Sequence, residues 1–119
     1  MKYVPADTGE MVTKNDYSKR IIFGQEDFKQ PGHLLQTVTI PPRTKQRLHW
    51  HTKQTEVFFI LAGECVIYIN DEEFVAKPGD AFITDPGDTH NLWNRTDKDF
   101  FLAVFKIDFP EEDDTEWVG

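Results

Sequence analysis

The rhythm of turn signals constrains this chain more than any other feature. Pro31-Gly32, Pro41-Pro42, Ala62-Gly63-Glu64, Asn70-Asp71, Lys77-Pro78-Gly79-Asp80 and Asp85-Pro86-Gly87-Asp88 punctuate it, and the polar run from Asn94 to Asp99 adds one more. Glycine, proline, asparagine and aspartate each favour backbone conformations that end a strand or reverse the chain. Between these points lie short apolar runs at intervals of roughly ten residues, and no stretch repeats with the helical period. Roughly seven to ten short strands of this kind predict an all-β sandwich or barrel. Closing the sheets also removes the unpaired edges that so many strands would otherwise expose.

The alternation within the runs says which side chains face inward. Leu34, Val38 and Ile40 share one face of a strand read from His33 to Ile40, and Pro41-Pro42 stops it because neither residue can donate to a ladder. Further strands are expected at residues 21–23, 46–51, 56–61, 65–69, 72–76, 81–84, 90–93 and 100–107. Cys65 shares its parity with Ile67 and Ile69, which makes it a small buried hydrophobe rather than a nucleophile or ligand. As the one cysteine it forms no internal disulfide, which fits a cytoplasmic protein.

A chain of 119 residues supports one core. The expected division is an N-terminal arm over residues 1–20, exchanged between the two chains of a homodimer, a barrel over 21–108 and an acidic tail over 109–119. The tail is expected to be solvated and is given no function. No apolar run approaches the roughly 20 residues of a spanning helix, and the first residues lack a secretory apolar core. The net charge of −8 lies mainly in the C-terminal half, with no basic stripe. Nucleic acid and anionic membrane are therefore not the expected partners. One small basic cluster, Arg43, Lys45 and Arg47, could steer an anionic substrate.

That cluster leads into the stretch HWHTKQTEVFFILAG, from His49 to Gly63. In a strand, His49 and His51 share one face and Trp50 takes the other. A turn then brings Glu56 from the next strand toward them. Two imidazoles met by a carboxylate form part of a nitrogen and oxygen metal site. PGDTHNLWN, Pro86 to Asn94, offers another histidine, His90, at the start of a later strand. His33, beside a turn, is read as an uninvolved surface residue.

The spacing of these residues resembles the cupin family. His49-x-His51, four residues, Glu56, six residues and Gly63 match its first signature, HxH(x)3–4E(x)6G. Gly79 followed by Gly87-x-x-His90-x-x-x-Asn94 is similar to its second, G(x)5PxG(x)2H(x)3N, except that Asp85 stands where the family has proline and the proline is at 86. The resemblance implies a double-stranded β-helix, or jelly-roll barrel, with one divalent transition metal (Fe, Mn, Ni, Co, Cu or Zn) held by His49, His51, Glu56 and His90. In an octahedral site two positions would remain for water or a small-molecule substrate. Phe58 shares the inward parity of Glu56. With Gln46, Arg47, Tyr68, Asn91, Trp93 and Asn94 it forms the set of candidate substrate-binding residues. The family implies an enzyme acting on a small oxygenated or anionic molecule, with dioxygenase-like chemistry first and sugar isomerase, epimerase or lyase chemistry as the alternative. A non-catalytic small-molecule binder is the third reading. No general acid or base is evident beyond the ligands.

Overall fold

The computed structural model describes all 119 residues. Its strands are β1 (Glu10–Thr13), β2 (Ser18–Phe23), β3 (Leu34–Ile40), β4 (Thr44–Lys45), β5 (His49–His51), β6 (Thr55–Ala62), β7 (Cys65–Ile69), β8 (Glu72–Ala76), β9 (Ala81–Thr84), β10 (His90–Asn94), β11 (Phe100–Ile107) and β12 (Thr115–Trp117). One 3-10 turn, Gln25–Asp27, is the only helical element.

The strands form two antiparallel sheets. One runs β1-β2-β3-β11-β6-β9, and the other β12-β5-β10-β7-β8 with β4 beside β10. From β3 onward the chain repeatedly crosses from one sheet to the other, which gives the all-β barrel that the turn rhythm predicts and the jelly roll that the cupin resemblance implies. The period of two explains the core. In β6 Glu56, Phe58 and Ile60 are buried while Phe59 and Leu61 are exposed. Phe100, Leu102 and Val104 of β11 face the same interior, and Cys65, Ile67 and Leu92 meet them from the second sheet. Each large side chain buried in this way contributes about 1.5–3 kcal/mol of transfer free energy.

The turns are built from the chemistry their sequences promise. Asn70 and Asp71 both take positive φ, as a two-residue hairpin turn requires. The two Pro-Gly-Asp turns are copies of each other. Gly79 and Gly87 have φ of 94° and 89°, and Asp80 and Asp88 accept the backbone N–H of Lys77 and Asp85 at 2.9 and 2.8 Å. The proline that precedes each glycine presets the turn.

Three strands lie outside the sequence expectation. β1 pairs with β2 of its own chain but buries no residue fully, so it carries no alternation to read. β4 is two residues long. β12 lies in the stretch expected as a solvated tail, and it pairs with β5 from Thr115 opposite His51 to Trp117 opposite His49. Its three residues are too few for a pattern, and tertiary contacts hold it. The strand expected over residues 46–51 is shorter, because only His49–His51 is strand.

Candidate metal centre

Three strands at one end of the barrel converge on the histidines. His49 and His51 come from β5, Glu56 from the start of β6, and His90 opens β10 directly opposite His49. The antiparallel register therefore sets the His49 and His90 rings side by side, with centroids 4.5 Å apart. A ring nitrogen of each of His49, His51 and His90 lies within 4.8 Å of those of the others. The Asp85–Asp88 turn ties the strands together: Gly87 N–H donates to the His51 carbonyl at 2.9 Å. Asn70, from the β7–β8 turn, donates to the Asp88 carboxylate and accepts from Thr89 N–H.

The outer ring nitrogens are held from behind. His49 Nδ1 donates to the Arg47 carbonyl and His90 Nδ1 to the Asp88 carbonyl, both at 2.8 Å. With that proton on Nδ1, a neutral imidazole presents the Nε2 lone pair on the other side. His90 Nε2 lies 3.3 Å from Glu56 Oε1, and His51 Nε2 lies 2.8 Å from the same oxygen. A lone pair facing a carboxylate repels it unless a proton or a cation sits between them. The donor set therefore fits a divalent metal.

The electrostatics agree. Burial, with the charge of His90 adding to it, pushes the His49 pKa down to about 4, so the ring is neutral and able to ligate at pH 7. Burial alone would raise Glu56. With no ion between them, Nε2–H groups of His51 and His90 that donate to Glu56 outweigh that, Lys106 adds its charge, and the carboxyl is held well below the usual range. Lys106 lies opposite Glu56 in the β11–β6 register.

The candidate substrate residues divide between two places. Phe58 is buried beside the histidines, its ring centroid 6.0 Å from that of His90. Gln46, Arg47, Tyr68, Asn91 and Trp93 instead line a groove of about 500 Å³ with Lys45, Leu48, Val66 and Glu73. Asn91 and Trp93 alternate with inward-facing His90 and Leu92, so this groove lies on the far face of the sheet. Asn94 is fully buried and holds a turn: its amide donates to the Ile40 and Lys98 carbonyls, and its oxygen accepts from Thr96. Tyr68 OH donates to Asp71 at 2.5 Å. The basic cluster is dispersed as well. Arg43 pairs with Asp97, Lys45 lies over Trp93, and Arg47 lies over Trp117. His33 stacks on Phe105, away from the site.

The structure adds residues that sequence reasoning passed over. Trp117, half-exposed, packs its ring 5.3 Å from that of His49. Asp114 and Thr115 reach His51 Nδ1 at 3.5 and 3.2 Å. Gln54 donates to Asp114 at 2.6 Å. An acidic run carries no local signal for such a role, and only the lone Trp117 hinted that the segment docks.

A family model described as Cupin domain matches residues 36–105. An oxalate-binding protein of Thermotoga maritima is 30% identical over 92 residues, 76% of each chain. Among solved structures, a predicted oxalate decarboxylase of Thermotoga maritima superposes with a TM-score of 0.78 at 24% identity, over 90% of this chain and 98% of that one. The polyketide cyclase RemF of Streptomyces resistomycificus gives 0.81 at 16% identity, over 100% and 87%. At such identities the structural likeness speaks for the fold.

Proposed function

The chain belongs to the cupin family, and from that premise we propose that it is a metal-dependent cupin acting on a small anionic or oxygenated molecule. In this reading His49, His51, His90 and Glu56 hold one divalent transition ion. The observation that carries it is the convergence of the His51 and His90 Nε2 atoms on one buried carboxylate oxygen while the His90 Nδ1 proton is already committed to a carbonyl. When bound, the ion supplies a Lewis acid for a carboxylate or carbonyl oxygen and, if it is iron, copper or nickel, reactivity toward dioxygen.

The chain's own residues shape the rest. Phe58 forms an apolar wall behind His90 and keeps water from that side. Trp117 packs against His49, and the Arg47 guanidinium lies over the Trp117 ring, which places one positive charge one aromatic side chain away from His49 in an otherwise acidic protein. A small carboxylate, of the kind named for the Thermotoga relative, suits that pairing. Dioxygenase-like turnover is the first reaction to test, with isomerase, epimerase or lyase chemistry second.

One observation favours binding without turnover. Apart from Glu56, the carboxylate that reaches a histidine is that of Asp114, and the carboxylate two residues before His90 is that of Asp88; both are occupied by backbone N–H groups. Neither is free to move a substrate proton. We also propose a homodimer, since Phe59, Leu61 and Ile83 are exposed on the outer face of β6 and β9. Buried, unpaired Cys65 is compatible with a cytoplasmic setting.

The test is elemental analysis followed by a screen of oxalate, catechols, 2-oxo acids, hydroxy acids and uronates, with oxygen consumption recorded. Metal near one per chain and oxygen uptake with any of these supports the oxygenase reading, and turnover without oxygen supports the isomerase or lyase reading. Ligation without turnover makes the protein a binder. A protein that takes up none of Mn, Fe, Co, Ni, Cu or Zn overturns the metal reading.

A further inference from the structure

We propose that Asp114, together with Thr115, positions His51, which makes the C-terminal strand a wall of the metal centre rather than a tail. The proposal rests on the metal-centre reading above and deepens it.

The three histidines are not supported alike. His49 and His90 each donate Nδ1–H to a carbonyl two residues earlier. Such contacts come from the local backbone, and no side-chain replacement removes them. His51 has no such carbonyl. Its Nδ1 faces Thr115 Oγ1 at 3.2 Å and Asp114 Oδ1 at 3.5 Å, groups more than sixty residues further along the chain. The His51 ring is therefore the one whose orientation depends on side chains from elsewhere.

Asp114 is itself rigidly held. Its Oδ2 accepts the backbone N–H of both Lys53 and Gln54 at 2.9 Å, and its Oδ1 accepts from the Gln54 side chain at 2.6 Å. Thr52 N–H donates to the Asp114 carbonyl at 3.1 Å. The Asp114 carboxylate thus fastens the β5–β6 turn, and the carboxylate that fastens it is the one facing His51. Both side chains are more than nine-tenths buried. Ordering Nδ1–H toward this pair leaves the Nε2 lone pair on the Glu56 side, where a metal ligand must present it. Side chains that fix the ring orientation and tautomer of a ligating histidine in this way are worth about 10–100-fold in metal affinity.

The experiment uses the full chain, stripped by a chelator and titrated with Co²⁺ alone, in wild type, Asp114→Ala, Thr115→Val and Asp113→Ala. Asp113 is the control, because its carboxylate accepts Thr115 N–H at 2.9 Å on the same segment but, unlike that of Asp114, does not come within 4.0 Å of a histidine nitrogen. Asp114→Ala should lose about 10–100-fold in Co²⁺ affinity. Thr115→Val should lose less, in the same direction, and Asp113→Ala should be unchanged. Nitrogen NMR of the Zn²⁺-loaded protein supplies a readout apart from affinity: the His51 Nδ1–H signal should be sharp in wild type and lost or exchange-broadened in Asp114→Ala, with His49 and His90 unaltered. Wild-type affinity together with an unchanged His51 signal in Asp114→Ala overturns the proposal. If Asp114→Ala does not fold, Thr115→Val decides, since valine keeps the β-branched strand former and removes only the hydroxyl. Equal losses in all three variants would show that strand docking alone matters and would also overturn it. Wild type failing to bind Co²⁺ would instead sink the metal-centre reading, and this inference with it.

Discussion

Acidifying the metal-free protein should expose the cost of burying His49. Its folded-state pKa is depressed from 6.5 to about 4, first by burial and then by the charge of His90. A depressed pKa means that the unfolded chain binds the proton more readily, so stability is retained above the unfolded value and falls as pH drops toward the folded one. At pH 7 both states are largely neutral at this ring and the effect is small. At pH 5 the unfolded imidazole is mostly protonated while the folded one is mostly not, which costs about 2 kcal/mol at His49. Below pH 4 the loss levels off at about 3 kcal/mol. Glu56 does not confuse this window: its folded pKa is also depressed, so its contribution disappears only on the acid side of the ordinary carboxylate range. The assay is urea unfolding in chelator at pH 7, 6 and 5 for wild type and His49→Gln, whose amide does not titrate. Wild type should lose about 2 kcal/mol more than the variant between pH 7 and 5. Parallel stability curves for the two proteins would refute the reasoning and place His49 in a solvated environment.

Replacing His90 with alanine should take metal content well below one per chain while the strand signal in circular dichroism persists, because the core around Ile67 and Leu102 does not depend on the ion. Elemental analysis after dialysis checks it. Phe58→Ala should cost about 3–5 kcal/mol in urea unfolding, since the ring is 2% exposed and stands between the core and His90. Gly63→Ala should destabilise by more than about 1 kcal/mol, read as a lowered thermal midpoint. The reason is a φ of 83°, with an added Cβ 2.6 Å from the Asp99 carbonyl oxygen. Light scattering at micromolar concentration should return twice the single-chain 13.9 kDa, and a value near 13.9 kDa would rule out the dimer under those conditions.

Much of the fold was legible because it rests on short-range rules. The inward set of β6 follows from the alternation of Glu56, Phe58 and Ile60 with Phe59 and Leu61. The turns at Asn70-Asp71 and at the two Pro-Gly-Asp sites follow from residues that tolerate or preset the required dihedrals. The strands that escaped notice, β1, β4 and β12, are short and lack a buried face of their own, so nothing in their residues distinguishes them from loop. Asp85 stands in the place of the family's proline, and the turn forms with Pro86 preceding Gly87, which keeps its register and takes a φ of 89°.

The sequence by itself determined the all-β architecture, and its spacing, with the resemblance to cupins, singled out His49, His51, Glu56 and His90, of which the structure brings the three histidines together around the Glu56 carboxylate. It also settled that Cys65 is packing. Only the tertiary structure decided what surrounds the ligands. A strand has two faces, and Asn91, Trp93 and Tyr68, neighbours of inward-facing residues in the chain, stand for that reason on the opposite side of the sheet from the site. The acidic segment, read as solvent-facing, meets β5 instead, because the β12–β5 pairing carries Asp114, Thr115 and Trp117 to the histidines. Local pattern reports the parity of a residue along its own strand. Which distant strand lies beside it depends on sheet order, and for β12 against β5 that is set by contacts separated by more than sixty residues.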